Sequence, residues 1–208
     1  MPATPFPAAV PHADPSGRDS AMLLAGIRKE MGDCQRCGLC EGRRQIVFGI
    51  GSPEARLMFI GEAPGQEEDR QGEPFVGRAG KLLDQMIASI GFRRQDVYIA
   101  NIVKCRPPRN RNPQSQEIEA CQGFLIAQIE AIRPEVIVTL GKFAVSTLLG
   151  EEVAITRARG QLRLYRNIPL MPTFHPAYLL RQYTQKNRRA VYNDLLQVRE
   201  MLAKPGAH

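Results

Sequence analysis

Four short, almost wholly apolar segments constrain this chain more than any other feature: "ARLMFIGE" (55–62), "VYIANIVK" (97–104), "VIVTLG" (136–141) and "IPLMPTF" (168–174). A strand exposed on one face alternates apolar with polar residues. Near-continuous apolar strands belong to a parallel sheet covered on both faces. Helical patterns alternate with these segments, as a parallel sheet needs: "GKLLDQMIASIG", "QSQEIEACQGFLIAQIEAIRP", "KFAVSTLLG" and "NRRAVYNDLLQVREMLA". The expected fold is therefore α/β, a three-layer sandwich with a central four-stranded parallel sheet flanked by helices. "QIVFGIGS" and "QLRLYR" read as short edge strands. "DSAMLLAGIRKEMG" places Leu23, Leu24, Ile27 and Met31 at helical spacing, with Gly32 as the stop.

A chain of 208 residues suits one domain. Residues 1–18 are Pro- and Ala-rich without periodicity and read as a disordered tail. Residues 19–203 form the expected single domain, and 204–208 a C-terminal tail. No signal peptide and no apolar run of membrane-spanning length is visible, so a cytoplasmic location is expected. Five cysteines, an odd number in a reducing compartment, argue for metal binding or catalysis over disulfides.

Parallel sheets take their ligands beyond the carboxyl ends of the strands. Three unusual segments fall there: "GEAPGQEED", "NIVKCRPPRNRNP" and "FHPAYLLR". Gly61 and Gly65 let the backbone approach a ligand. Glu67, Glu68 and Asp69 read as a solvated loop, or as carboxylates for Mg²⁺ or for activating a water. Phe75, in a loop before a helix, either stacks on a flat ring or plugs the core. Asn101 interrupts an apolar strand. Its amide donates and accepts, which suits either a nucleobase edge or a loop backbone. His175 directly follows a strand, while His12 and His208 lie in the tails.

"DCQRCGLC" brings Cys34, Cys37 and Cys40 together, and Cys105 and Cys121 stand far along the chain. A zinc ribbon closes with a second tight pair, which is absent, so zinc is the weaker reading. Four thiolates from this set suit an iron–sulfur cluster, and spacing alone does not choose between Cys40 and a distant thiol. Cys121 shares a helix face with Ile118, Leu125, Ile129 and Ile132, where a buried free thiol is equally natural. If the second strand runs on through Val103, Cys105 lies about 13 Å beyond Asn101 on the same face.

The formal net charge is +7. Basic residues cluster as Lys104, Arg106, Arg109 and Arg111; as Arg157, Arg159, Arg163 and Arg166; and as Arg181, Lys186, Arg188 and Arg189. Three such clusters favour a nucleic-acid partner over a merely solvated face.

Taken together, "CQRCGLC", "VFGIGSPEARLMFIGEAPGQEEDRQGEPFVGRAGKLLD", "YIANIVKCRPPRNRNP" and "TFHPAYLL" strongly resemble the family 4 uracil-DNA glycosylases, from about residue 20 to 202. The resemblance implies a repair enzyme that flips uracil from single- or double-stranded DNA and hydrolyses its N-glycosidic bond. It implies one four-iron, four-sulfur (4Fe-4S) cluster on Cys34, Cys37, Cys105 and Cys121, with Cys40 a bystander, and no Mg²⁺ requirement. It places uracil against Glu62, Ala63, Pro64, Phe75, Asn101 and His175. Glu62, Glu68 and His175 become the catalytic candidates; Glu68 or Glu62 could position the water, with Glu68 preferred for it and Glu62 for pocket contact. It places Leu179 and Leu180 in a DNA-intercalating loop, and from the basic clusters Arg106, Arg109, Arg111 and Arg181 are the expected DNA contacts beside them. A monomer is expected. The best-known uracil glycosylase family has an Asp where this chain has Ala63 and a Tyr where it has Gly65, so those roles are filled differently here. The alternative is a non-catalytic or covalently trapping uracil-DNA binder. The stretch "KCRPPRNRNPQSQE" contains no histidine for such a link.

Overall fold

A computed structural model describes residues 17–203. The expected tails fall almost wholly outside the described residues, although the first helix already begins at Gly17. In chain order the elements are helix α1 (Gly17–Met31), strand β1 (Ile50–Gly51), β2 (Leu57–Gly61), α2 (Gln66–Gln71) and α3 (Arg78–Ser89). There follow β3 (Tyr98–Asn101), α4 (Ser115–Ile132), β4 (Val136–Leu140), α5 (Lys142–Leu149) and α6 (Ile155–Ala158). The chain closes with β5 (Arg163–Tyr165), β6 (Ile168–Thr173), α7 (Pro176–Arg181) and α8 (Gln185–Ala203). Among the described residues, no helix is long and apolar enough to cross a membrane.

The sheet has six strands in the order β1-β3-β2-β4-β6-β5. The four apolar segments form its parallel centre, and the two predicted edge strands pair antiparallel on its flanks. Alternation within the apolar runs sorts the two faces. Met58 and Ile60 join Tyr98, Ala100, Ile137 and Leu170 beneath α1, α4 and α5. Leu57 and Phe59 join Ile99, Val136, Val138 and Met171 beneath α3, α7 and α8. Residues Leu57 through Ile60 are fully buried. Each such side chain contributes roughly 1.5–3 kcal/mol of burial, which makes β2 the spine of the domain.

The chain leaves β2 for β3 on one side, then returns to place β4 on the other. The crevice at the carboxyl end of β2 is therefore the switch point where open parallel sheets bind ligands.

Two sequence expectations change here. The second apolar run is a strand only to Asn101. Ile102 and Val103 still donate to the carbonyls of Gly61 and Glu62, at 3.0 and 3.2 Å, but the chain then bends and Lys104 accepts from Val47 instead. Cys105 is thus placed by a bend, not by strand periodicity. "QEEDR" is the helix α2 and not a loop. Gly65 opens it, and Gly72 closes it in a left-handed conformation.

Candidate active site

A cleft of about 570 Å³ opens at the carboxyl ends of the parallel strands. Each central strand delivers residues to it. β2 leads into Glu62, Ala63, Pro64 and Gly65, and β3 ends on Asn101. β4 ends at Leu140, and β6 leads into Phe174 and His175. Phe75 completes the wall. All six residues predicted to touch uracil line this one cleft.

Asn101 is 1% exposed, and its side-chain Oδ1 is buried without a hydrogen-bond partner among the described residues. The loop-backbone alternative therefore leaves this oxygen unexplained. A buried orphan acceptor at a cleft wall is costly unless something supplies a donor. It faces Gly61, its neighbour in the β2–β3 ladder. A Cβ on Gly61 would stand 2.4 Å from that oxygen and 2.6 Å from Cζ of Phe75. Only glycine lets the amide and the ring come so close.

Phe75 adopts a positive φ of 54°, an uncommon conformation for a bulky residue that its surroundings must hold. Glu68 holds it. One carboxylate oxygen accepts from the N–H groups of Val76 and Gly77, both at 2.9 Å, and the other from Gly65 at 3.1 Å. Gly80 also lies against the Phe75 carbonyl so closely that a Cβ would stand 1.8 Å from its oxygen. The Phe75 ring is buried among the core residues and also lines the cleft, and its centroid lies 5.6 Å from that of His175.

His175 caps α7, and its Nδ1 accepts from the Ala177 N–H at 3.0 Å. An accepting Nδ1 carries no proton, so the neutral ring carries it on Nε2. Burial first, then the Arg181 charge, hold its pKa down to about 4, with Glu68 pulling weakly the other way. The ring is therefore a neutral donor at pH 7. Glu62 lines the cleft, and burial raises the pKa of its carboxyl.

The acidic trio does not converge. Glu67 pairs with Arg70 at 2.6 Å, Glu68 ties the turns just described, and buried Asp69 accepts from the Arg44 N–H at 2.8 Å. Nor do all expected DNA contacts reach the surface. Leu179 is 2% exposed and packs into the core beneath α7, whereas its neighbour Leu180 is exposed. Arg111 forks onto Glu117 at 2.6 and 2.9 Å, lowering the Glu117 pKa and fixing the start of α4. Arg106 donates to Asn110, while Arg109 and Arg181 are exposed. Arg159 is spent on the buried Asp194. Lys104 is fully enclosed. Asn110 also lines the cleft. It sits in a run of polar residues where nothing in the sequence singled it out.

A second, smaller hollow lies between α1, α4 and the segment after β3. Cys34, Cys37, Cys105 and Cys121 all line it, and Cys40, carried off on a short 3₁₀ turn, does not. Burial pushes the Cys105 thiol up to about 11 and the Cys121 thiol up to about 12, and Cys37 acts electrostatically on both. Arg43 donates to Cys105 Sγ at 3.5 Å, and the Lys104 N–H donates to Cys121 Sγ at 3.3 Å. Four soft thiols, two of them with a donor already aimed at the sulfur, fit an iron–sulfur cluster by donor chemistry. No group of three or more His, Cys, Asp or Glu among the described residues converges as a single-ion site.

The family model for the uracil DNA glycosylase superfamily matches residues 48–196. The type-4 uracil-DNA glycosylase of Thermotoga maritima is 45% identical over 186 residues, covering 88% of this chain and 97% of that protein. The chain belongs to the type-4 uracil-DNA glycosylase family. The type-4 uracil-DNA glycosylase of Archaeoglobus fulgidus is 42% identical, covering 87% of this chain and 94% of the relative. That of Sulfurisphaera tokodaii is 43% identical, covering 88% and 86%. The family match begins inside the segment between the cysteine motif and β1, so it spans the whole cleft.

Proposed function

We propose that this chain is a DNA-repair glycosylase that takes uracil out of DNA and hydrolyses its N-glycosidic bond, leaving an abasic site and free uracil. The observation that carries this reading is the unpartnered Oδ1 of Asn101, set in one cleft with the Phe75 ring and the His175 imidazole. A flat, doubly hydrogen-bonding ring fits there, and a base reaches such a pocket only by leaving the stack.

In this reading Phe75 stacks on the extruded uracil, and Asn101 pairs with its edge. As the bond from C1′ to N1 breaks, N1 keeps the electron pair and charge spreads onto the ring carbonyls. The neutral His175 donates to one of them, an electrostatic contribution made mainly in the transition state. A water adds through oxygen to the oxocarbenium-like C1′. Glu68 spends both oxygens on backbone N–H groups, so Glu62 is the carboxylate left to position that water and take its proton. Leu180 fills the gap left in the stack, while Arg106, Arg109 and Arg181 meet phosphates. The substrate is uracil in single- or double-stranded DNA, the enzyme acts as a cytoplasmic monomer, and no Mg²⁺ is needed. Cys34, Cys37, Cys105 and Cys121 hold one 4Fe-4S cluster, which when bound cross-links the end of α1, the bend after β3 and α4.

The test is incubation with a uracil-containing oligonucleotide in EDTA, then alkali. Free uracil and alkali-dependent strand cleavage are expected. An adduct stable to denaturation would instead indicate a covalent binder, and intact DNA with an iron-loaded enzyme would overturn the reading.

A further inference from the structure

Lys104 is 1% exposed, yet it ends in a charged group. Its Nζ donates to the Asn101 carbonyl at 2.9 Å and to Gln128 Oε1 at 2.6 Å. Both acceptors are neutral. Gln128, itself fully buried on α4, is held in turn by donating to the Phe48 carbonyl and to the Tyr98 hydroxyl. A buried ammonium whose hydrogen bonds end on neutral oxygens carries a desolvation cost that those bonds only partly offset. A nearby anion would complete the compensation.

Lys104 also lines the cysteine hollow, and its backbone N–H donates to Cys121 Sγ at 3.3 Å. Arg43 approaches the same hollow from another side, its side chain 7% exposed. It donates to Cys105 Sγ at 3.5 Å and to the Cys34 carbonyl at 2.5 Å, with exposed Asp33 as its own partner. Four thiolates outweigh the positive charge of a four-iron, four-sulfur core, so the ligated cluster is an anion.

We propose that Lys104 is the buried counter-ion of the iron–sulfur cluster and a positioning residue that ties the cluster to the backbone of the uracil-reading Asn101, with Arg43 as the second cation. The proposal rests on the cluster reading above. It gives the cluster two dependences on one side chain. The positive charge favours the electron-rich cluster, raising its reduction potential and slowing the loss of iron. The same ammonium ties the wall of the hollow to the last residue of β3, through its bond to the Asn101 carbonyl.

The test compares the full-length protein with Lys104→Met and Lys104→Arg. Iron and sulfide per chain, visible absorbance, the midpoint potential and the rate of iron loss to a chelator are measured beside thermal unfolding. Lys104→Met is expected to bind a cluster of lower potential and to release iron about tenfold faster, the low end of what supporting contacts contribute to metal sites. Lys104→Arg is expected to stay near wild type. Should Lys104→Met fail to fold, Arg43→Gln carries the same expectation from the rim of the hollow. Wild-type protein that takes up no iron overturns the cluster reading and this assignment with it. Iron-loaded wild type with variants of unchanged potential and unchanged iron loss overturns the assignment alone.

Discussion

Gly61 and Asn101 face each other across the β2–β3 ladder, and the missing side chain of the first makes room for the amide of the second. A methyl at Gly61 would collide with both Asn101 Oδ1 and the Phe75 ring, the two groups proposed to hold uracil. Gly61→Ala must therefore push them apart or strain β2. Overpacking of this kind costs about 1–3 kcal/mol. The expected outcome is a folded protein with a lowered melting temperature and a larger loss in uracil release. Full activity in the variant would remove the Asn101–Phe75 pair as the uracil site.

Glu68 looked, in the sequence, like a residue for the water. Its oxygens instead accept three backbone N–H groups that join the turn after β2 to the strained Phe75. Glu68→Gln keeps the size but turns one acceptor into a donor. It should lower stability by about 1–3 kcal/mol, the range for losing a partner of a partly buried polar group. The catalytic loss should come with raised KM as the Phe75 platform loosens. Glu62→Gln should instead lower kcat with stability near wild type, because its carboxyl is proposed to act on the water. If Glu68→Gln lowers kcat alone, with KM and melting temperature unchanged, this division of labour fails.

The pH dependence follows from His175. Its folded pKa, about 4, lies below the ordinary histidine value, with burial the larger cause and Arg181 the second. The neutral donor form therefore persists as pH falls through 6.5, where an unfolded histidine takes up its proton. The sign is destabilising: from about pH 6.5 down to about 4 the unfolded state binds the extra proton, so this residue makes stability fall with pH. Arg181→Gln removes one cause of the depression, so the His175 pKa should rise toward its ordinary value. Histidine NMR titration of the two proteins measures the shift directly, and a His175 pKa that stays put in Arg181→Gln would contradict the electrostatic account.

The apolar runs made the parallel sheet legible because burial on both faces leaves no room for polar alternation. They said less about where each strand stops. Ile102 and Val103 are as apolar as Ile99 yet lie beyond β3, since β2 ends at Gly61, which takes the Ile102 N–H, and the Val103 N–H bonds the turn after it. Charge was the least legible property. Arg111, Arg159 and Lys104 looked like surface cations, but each is drawn to a partner supplied by a distant segment or by a turn that periodicity does not reveal. Leu179 and Leu180 are adjacent and chemically identical, and only the orientation of α7 sends one inward and the other out. Gln128 did carry a readable signal, a polar residue seven positions after Cys121 on an apolar helix face.

The cysteine motif yields the sharpest remaining contrast. Cys34, Cys37, Cys105 and Cys121 line one hollow, and Cys40 turns away from it. Cys40→Ala should keep its brown colour and full iron content. Cys121→Ala removes a thiol from the wall formed by α4, where the buried sulfur accepts from the Lys104 N–H. It should lose most of its iron and melt at lower temperature, because bound metal contributes its binding free energy to the folded state. Uracil release should fall with it, since α4, the bend after β3 and Asn101 are one connected wall through Lys104 and Gln128. Iron analysis beside thermal unfolding decides the matter. Loss of iron in Cys40→Ala together with retention in Cys121→Ala would reverse the ligand assignment.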